Sequence, residues 1–290
     1  MASQERAAEP VQDLTDLRDE DVLRVLRALV ESDLRVQRLE LPARIVWIKR
    51  QGNKVLPVFV AIQGLAATIF RLPFLRPSPQ LRPQAMQARE IRRLRSFEKA
   101  GFPVPKVVYA SPTAMVMADV GPTIAERLRL IRNDVGAHDA LLVKVADALG
   151  RVHAAGLCHG RPHVRDFFLA AGAVGFMDFE EDPASVMPLE VAQARDVLLY
   201  FLVATSLAVS AEVTCPAALD AWLRHAPGAA RRELLALASF AGRILPFARL
   251  IGRLHMGSDL RRFIKATEFL MTAPLHEVDG QRRAKAGKDG

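Results

Sequence analysis

The stretch 159-HGRPHVRDFFLAAGAVGFMDFEED-182 decides how the fold of this chain is read. It opens with His159, Gly160, Arg161 and His163 and places Asp166 just before an apolar run. Asp178 follows twelve residues after Asp166, between Met177 and Phe179. The run FFLAAGAVGFMDF predicts a hairpin with a glycine-containing turn. A carboxylate flanked by apolar residues at a strand end is costly to bury alone, which makes Asp178 a candidate site residue.

Upstream, LRDEDVLRVLRALVE (17–31) places Leu23, Leu26 and Val30 at helical spacing after an acidic start. In LRVQRLELPARIVWIKRQG, the β-branched and aromatic residues around Lys49 predict a strand ending at Gln51-Gly52-Asn53. QAMQAREIRRLRSFEKAG predicts a helix closed by Gly101, with Met86, Glu90, Leu94 and Phe97 on one inward stripe. A carboxylate in that stripe requires a cationic partner. VPKVVYASPTAMVMADVG predicts two short strands around a turn, and HDALLVKVADALGRVHAAG a second helix, with Leu142, Val145, Leu149 and Val152 on one face. From about 188 to 273 the pattern is helical throughout. Strands first and helices after them predict an α+β class with two lobes.

Composition narrows the field only a little. Of 290 residues half are hydrophobic, enough for a sizeable core. Cys158 and Cys215 make no disulfide framework and fit a reducing compartment. The polar start MASQERAAEPVQDLTD has no apolar signal region, and the run 56–70, interrupted by Gln63, is shorter than the roughly 20 residues a spanning helix needs. The net charge of +8 permits phosphate-rich partners. Eight basic against two acidic residues between Arg71 and Lys99, beside the apolar run, suit either a membrane-surface contact or a solvated basic face. Aromatic residues are only 6% and form no stacking series among the basic ones, so no specific nucleic-acid partner is expected.

Phosphoryl transfer from a nucleotide needs a cation on the phosphates, a carboxylate to orient it, and oxygen ligands for Mg²⁺. Lys49, Glu90, Asp166 and Asp178 occur in that order. The succession VWIKR, QAREIRRLRSFEKAGFPVP, AMVMADVG, LGRVHAAGLCHG, FMDFE and ARDVLLYF resembles the protein-kinase-like superfamily over about 35–210. Its nearest flavour is that of bacterial Kdo and lipopolysaccharide-core kinases and the RIO and aminoglycoside-phosphotransferase types. The resemblance implies a bilobal fold with a small strand-rich N-lobe and a helical C-lobe. It implies ATP and Mg²⁺ as cofactors, Lys49 on the nucleotide phosphates, Glu90 paired with it, and Asp178 as metal aspartate. Aligning His159, Gly160 and His163 on the family's H-G-D-x-H-x-x-N loop puts Asp166 at the metal-binding asparagine position. His159 then has a backbone-bonding role, and Asp196 holds the loop from a buried helix.

The same register sets Arg161 where the catalytic base belongs, and an arginine accepts no proton at neutral pH. Reading VRD as the catalytic triplet instead makes Asp166 the base but shortens the spacing to Asp178. Asp166 thus stays open between metal ligand, base and loop cap. No glycine occurs before residue 52, so a glycine-rich phosphate loop is missing. His153, Cys158, His159 and His163 are the alternative, a metal cluster, but Gly156, Gly160 and Pro162 break the face they would share.

The organisation expected is a helical extension over 1–32, an N-lobe over 33–118 with an apolar and basic insertion at 56–83, a C-lobe over 119–274, and a disordered basic tail over 275–290. The activity implied is ATP- and Mg²⁺-dependent transfer to a hydroxyl acceptor, a bacterial envelope glycolipid or another small molecule. The alternative is a pseudokinase, a binding or scaffold module lacking the base. The location expected is cytoplasmic, at the inner membrane face if 56–99 meets lipid.

Overall fold

The computed structural model of the chain describes residues 17–51, 78–79, 81–112, 114–254 and 256–273. The apolar run 56–70, most of the insertion around it and the tail 275–290 lie outside the described residues. The chain divides into two compact units, Met1–Arg127 with Val164–Val186, and Leu128–His163 with Met187–Gly290. Strands occupy the first and helices dominate the second, an α+β architecture consistent with a kinase-like fold.

In the first unit, helix α1 (Asp19–Glu31) precedes strands β1 (Val36–Glu40) and β2 (Ile45–Arg50). Helix α2 (Pro83–Lys99) follows, then β3 (Val107–Ala110) and β4 (Ala114–Ala118). The four strands form one antiparallel sheet in the order β1-β2-β4-β3. The segment expected to hold a single strand around Lys49 is therefore a hairpin, whose link between Leu41 and Arg44 contains no glycine.

Alternation along β2 decides where Lys49 points. Val46 and Ile48 are fully buried in a small core with Val25, Ala28, Val108 and Val116. Side chains two apart share a face, so Trp47 and Lys49 take the opposite one. Helix α1 packs through Val25 and Ala28, whereas Leu23, Leu26 and Val30, the row picked out by spacing, face outward. Both rows recur at helical intervals, and contact with the sheet selects between them.

Helix α2 buries Met86, Glu90, Leu94 and Phe97, as its stripe predicts. Its end is a Schellman closure: the N–H of Phe102 donates to Phe97 O (3.0 Å) and that of Gly101 to Glu98 O (2.9 Å). Gly101 has φ +84, and the Phe97 and Phe102 rings meet at 5.9 Å. Nothing lies within 4 Å of a Cβ added at Gly101. Gly101→Ala is therefore expected to cost about 1 kcal/mol through backbone conformation alone, read as a lower urea midpoint at unchanged m value.

Hairpin β5–β6 (Phe167–Ala170, Ala173–Phe176) belongs to this unit and turns through Ala171 (φ 47) and Gly172 (φ 83), both left-handed as a two-residue turn requires. Phe97 contacts Phe176 at 5.4 Å and Phe179 at 4.4 Å. The hairpin exit is thereby docked against the end of α2.

Helix α3 (Ile124–Leu130) leads into the second unit. There α4 (Val135–Ala154) is followed by α5 (Leu189–Leu207), α6 (Ala211–Leu223), α7 (Gly228–Leu254) and α8 (Ser258–Thr272). The face of α4 carrying Leu142, Val145, Leu149 and Val152 is buried throughout. A Cβ on Gly150 would stand 2.8 Å from Trp222 O, so α4 and α6 approach at a position only glycine fills. The Asp139 carboxylate accepts the N–H groups of Val209 (3.0 Å) and Ser210 (2.9 Å) and the Thr214 hydroxyl (2.6 Å), capping α6 from α4.

Candidate active site

Lys49 projects from β2 into three carboxylates of the first unit. Its Nζ donates to Glu90 Oε1 at 2.7 Å and Asp178 Oδ1 at 2.6 Å, with Glu180 Oε1 at 3.2 Å. Burial by itself would lower the Lys49 ammonium. Glu90, then Asp178 and Glu180, more than reverse this and hold it well above the ordinary lysine range. Burial pushes the Glu90 carboxyl up and Lys49 opposes that push. The charge fixed here is the ammonium, with three acidic oxygens around it. The Gln51 amide also donates to Glu90 Oε2 at 2.9 Å.

The three acids differ in access to solvent. The Glu90 and Glu180 side chains are 1% and 7% exposed, whereas that of Asp178 is 29% exposed. Asp178 also has φ +65, a left-handed backbone uncommon for a residue other than glycine. Strained non-glycine positions concentrate at functional sites because surrounding packing must enforce them. Here the enforcement comes from Phe179, fully buried against Phe97, and from β6 before it.

The segment after Asp178 is tied to α2 by two arginines. Arg89 donates to Glu180 O at 2.6 Å, and Arg93 donates to Glu181 O at 2.7 Å while its guanidinium stands 5.4 Å from the Phe179 ring centroid. Arg35 of the loop before β1 donates to the Glu180 side chain. These residues, with Glu180 itself, are not among the site residues the sequence predicts, which leaves the basic residues of α2 to a membrane-surface contact or a solvated face. Arg92, Arg95 and Lys99 do lie outside. The spacing of Arg89 and Arg93 at i, i+4 was the available signal.

Asp166 ends a 3₁₀ turn (Val164–Asp166), half-buried, and its carbonyl accepts the Met177 N–H at 2.9 Å. Asp166 and Asp178 thus leave neighbouring backbone segments of one unit. The structure brings Lys49, Glu90 and Asp178 into direct contact and sets Asp166 beside Met177, the residue between β6 and Asp178.

His159 and Arg161 belong to the second unit. Asp196 of α5, wholly buried, accepts the backbone N–H of His159 at 2.5 Å and that of Gly160 at 2.9 Å. Arg195 donates to Gly160 O at 3.0 Å, so successive residues of α5 grip one short loop. Burial opposes ionisation of Asp196, but the hydrogen bond from His153 and the His159 N–H outweigh it and hold the carboxyl below its usual range. The indole of Trp222 donates to His153 Nδ1 at 2.9 Å, leaving the ring proton on Nε2, 3.4 Å from Asp196. His153 is thereby committed to the core. Among the described residues no group of three or more His, Cys, Asp or Glu side chains is placed to hold a metal ion. Arg161 is exposed.

A lysine pinned to a helix glutamate beside an aspartate that closes a hairpin, with a second aspartate behind a short 3₁₀ turn, resembles the kinase-like superfamily. Residues 76–196 match the Lipopolysaccharide kinase (Kdo/WaaP) family. That span contains Glu90, Asp166, Asp178 and Asp196 and begins after Lys49. An uncharacterized protein of Haemophilus influenzae is 34% identical over 112 residues, 39% of this chain and 46% of that protein. The matched region thus spans less than half of that relative. The family is one of kinase-like phosphotransferases.

Proposed function

We propose that the chain transfers a phosphoryl group from Mg²⁺-bound ATP to a hydroxyl acceptor, with a bacterial envelope glycolipid as the favoured class. The carrying observation is the charge balance at Lys49: one ammonium among three carboxylates, the most exposed of which is Asp178. With Arg35 also on Glu180, three carboxylates meet two cations, and a cluster of this kind that opens through Asp178 fits a divalent cation arriving with a polyphosphate. Mg²⁺ is commonly held by one or two carboxylates plus phosphates rather than by a full protein cage. When bound, the ion neutralises charge on the phosphates.

In this reading Asp178 and Asp166 hold the metal, and Lys49 exchanges part of its carboxylate company for nucleotide phosphates. Glu90, braced by Gln51, keeps Lys49 aimed. Asp196 orders the backbone around His159, the loop that carries Arg161. Arg161 provides a fixed cation for the transferred group or for an anionic acceptor. It takes no proton from the acceptor hydroxyl, and a loose, largely dissociative transfer depends only weakly on such help. The family match supports a glycolipid acceptor by its description alone. Location in the cytoplasm is supported by Cys158 and Cys215, both buried and not joined in a disulfide. Contact with the inner face of the membrane through 56–99 goes with the glycolipid reading.

A second reading, the pseudokinase, is favoured by Arg161 and by the glycine-free β1–β2 hairpin. Melting of the purified chain with ATP and Mg²⁺, followed by phosphate release, separates the two. A phosphotransferase shows a Mg²⁺-dependent rise in Tm with slow ATP turnover. Saturable binding without turnover across sugar, lipid and protein acceptors supports the scaffold, and absence of any nucleotide response removes the phosphotransferase.

A further inference from the structure

We propose that the outer face of the C-terminal half of α7 docks on an anionic lipid bilayer. Helix α7 is long and apolar enough to cross a membrane by length and composition, yet only part of it is buried. Ala241, Leu245, Ala248 and Gly252 form its inner row at i, i+4, i+7 and i+11, buried in the second unit. On a neighbouring, outward-turned face Ile244, Phe247 and Ile251 repeat at i, i+3 and i+7 with Leu250 beside them. Their exposures are 38%, 64%, 42% and 54%. A helix that is apolar on two faces calls for an apolar partner on its second face.

Charge identifies that partner. No carboxylate occurs between Glu233 and Asp259, while Arg243, Arg249 and Arg253 are all exposed along the same half-helix. Arg249 meets Glu268 of α8 at 2.6 Å; Arg243 heads the row that continues through Phe247 and Leu250. Large apolar side chains bordered by arginines, with Glu268 of α8 taken up by Arg249 and no acid on the half-helix itself, are what an interfacial helix presents to phosphate headgroups. Arginine stems reach upward from a shallowly buried face and leave the guanidinium at the phosphates. The outward row of α1 lacks this character, because Asp19, Glu20 and Asp21 crowd its first turn.

The helix lies on the bilayer and does not cross it. Crossing would strip Leu245 and Ala248 from their core and carry Arg243 and Arg249 into hydrocarbon, which is costly for each charge. This surface lies on a different stretch of the chain from 56–99 and does not depend on the phosphotransferase reading.

The test is co-flotation of the full chain, without nucleotide, on phosphatidylcholine vesicles with and without phosphatidylglycerol. Binding is expected to the anionic vesicles, to weaken in high salt, and to fall about tenfold or more in Phe247→Glu/Leu250→Glu. A Phe247→Trp chain is expected to show a blue-shifted emission on adding anionic vesicles, which tests insertion even if the double variant folds poorly. Failure of the native chain to float, or unchanged flotation of a folded double variant, overturns the proposal. So does a self-association in ultracentrifugation that the double variant abolishes without any vesicle binding, which makes this face a contact between copies.

Discussion

Replacing Asp178 with alanine or asparagine is expected to abolish Mg²⁺-dependent ATP turnover, with a loss on the order of a thousandfold or more in kcat. Among the carboxylates on Lys49, this one combines solvent access with direct contact to the ammonium. Glu90 and Glu180 are closed off by α2 and by the arginines that fasten the following segment. Removing Asp178 leaves Lys49 with two acidic partners, so the ammonium stays charged and the local fold persists. Phe179 remains locked against Phe97. The asparagine variant matters because asparagine tolerates a left-handed backbone, and φ at this position is +65. It removes the charge while keeping shape and conformation. Turnover measured as phosphate release, with Tm as a control for folding, decides the matter. Undiminished turnover in either variant overturns the assignment of Asp178.

Lys49→Met is expected to destabilise the chain by about 3–5 kcal/mol at neutral pH, because it leaves neighbouring carboxylates without their cation. The sign of the pH dependence follows from which state holds the protons. In the native chain the Lys49 ammonium lies above its ordinary range, so its contribution is complete below that range and constant through neutral pH. In the variant, Glu90 loses its counter-ion while Glu180 keeps Arg35, and the folded-state value of Glu90, already raised by burial, climbs further above the unfolded one. Such a group costs nothing while protonated and destabilises increasingly as pH climbs through the raised value. The gap between native and variant chains is thus small near about pH 4 and widens toward about pH 8. Denaturant unfolding across that range checks it, and a gap independent of pH contradicts the ion cluster as the source of the loss.

Much of this site is legible in one sequence because its constraints are local. A carboxylate at position 90 falls on the stripe defined by Met86, Leu94 and Phe97, which forces a buried acid to find a cation. Strand alternation leaves Lys49 opposite Val46 and Ile48. Asp178 stands out because apolar neighbours on both sides commit it to an interior edge. Other parts lack a local signal. Nothing near position 180 announces that Glu180 joins Lys49 from beyond the hairpin. Arg89 and Arg93 resemble any basic helix face until the carbonyls of Glu180 and Glu181 are brought against them. Helix α1 carries two apolar rows of equal spacing, and only the sheet beneath it selects Val25 and Ala28 over Leu23, Leu26 and Val30.

The sequence by itself determined that strands precede a helical second half, the inward face of α2 and the acids that need a cation, because periodicity and desolvation act within a few residues of chain. Tertiary structure alone decided that three carboxylates share one ammonium, that Asp178 is the most exposed of them, and that α7 turns a second apolar face outward. Those properties depend on which distant groups exclude water from a side chain, and burial is a property of the folded assembly rather than of any segment.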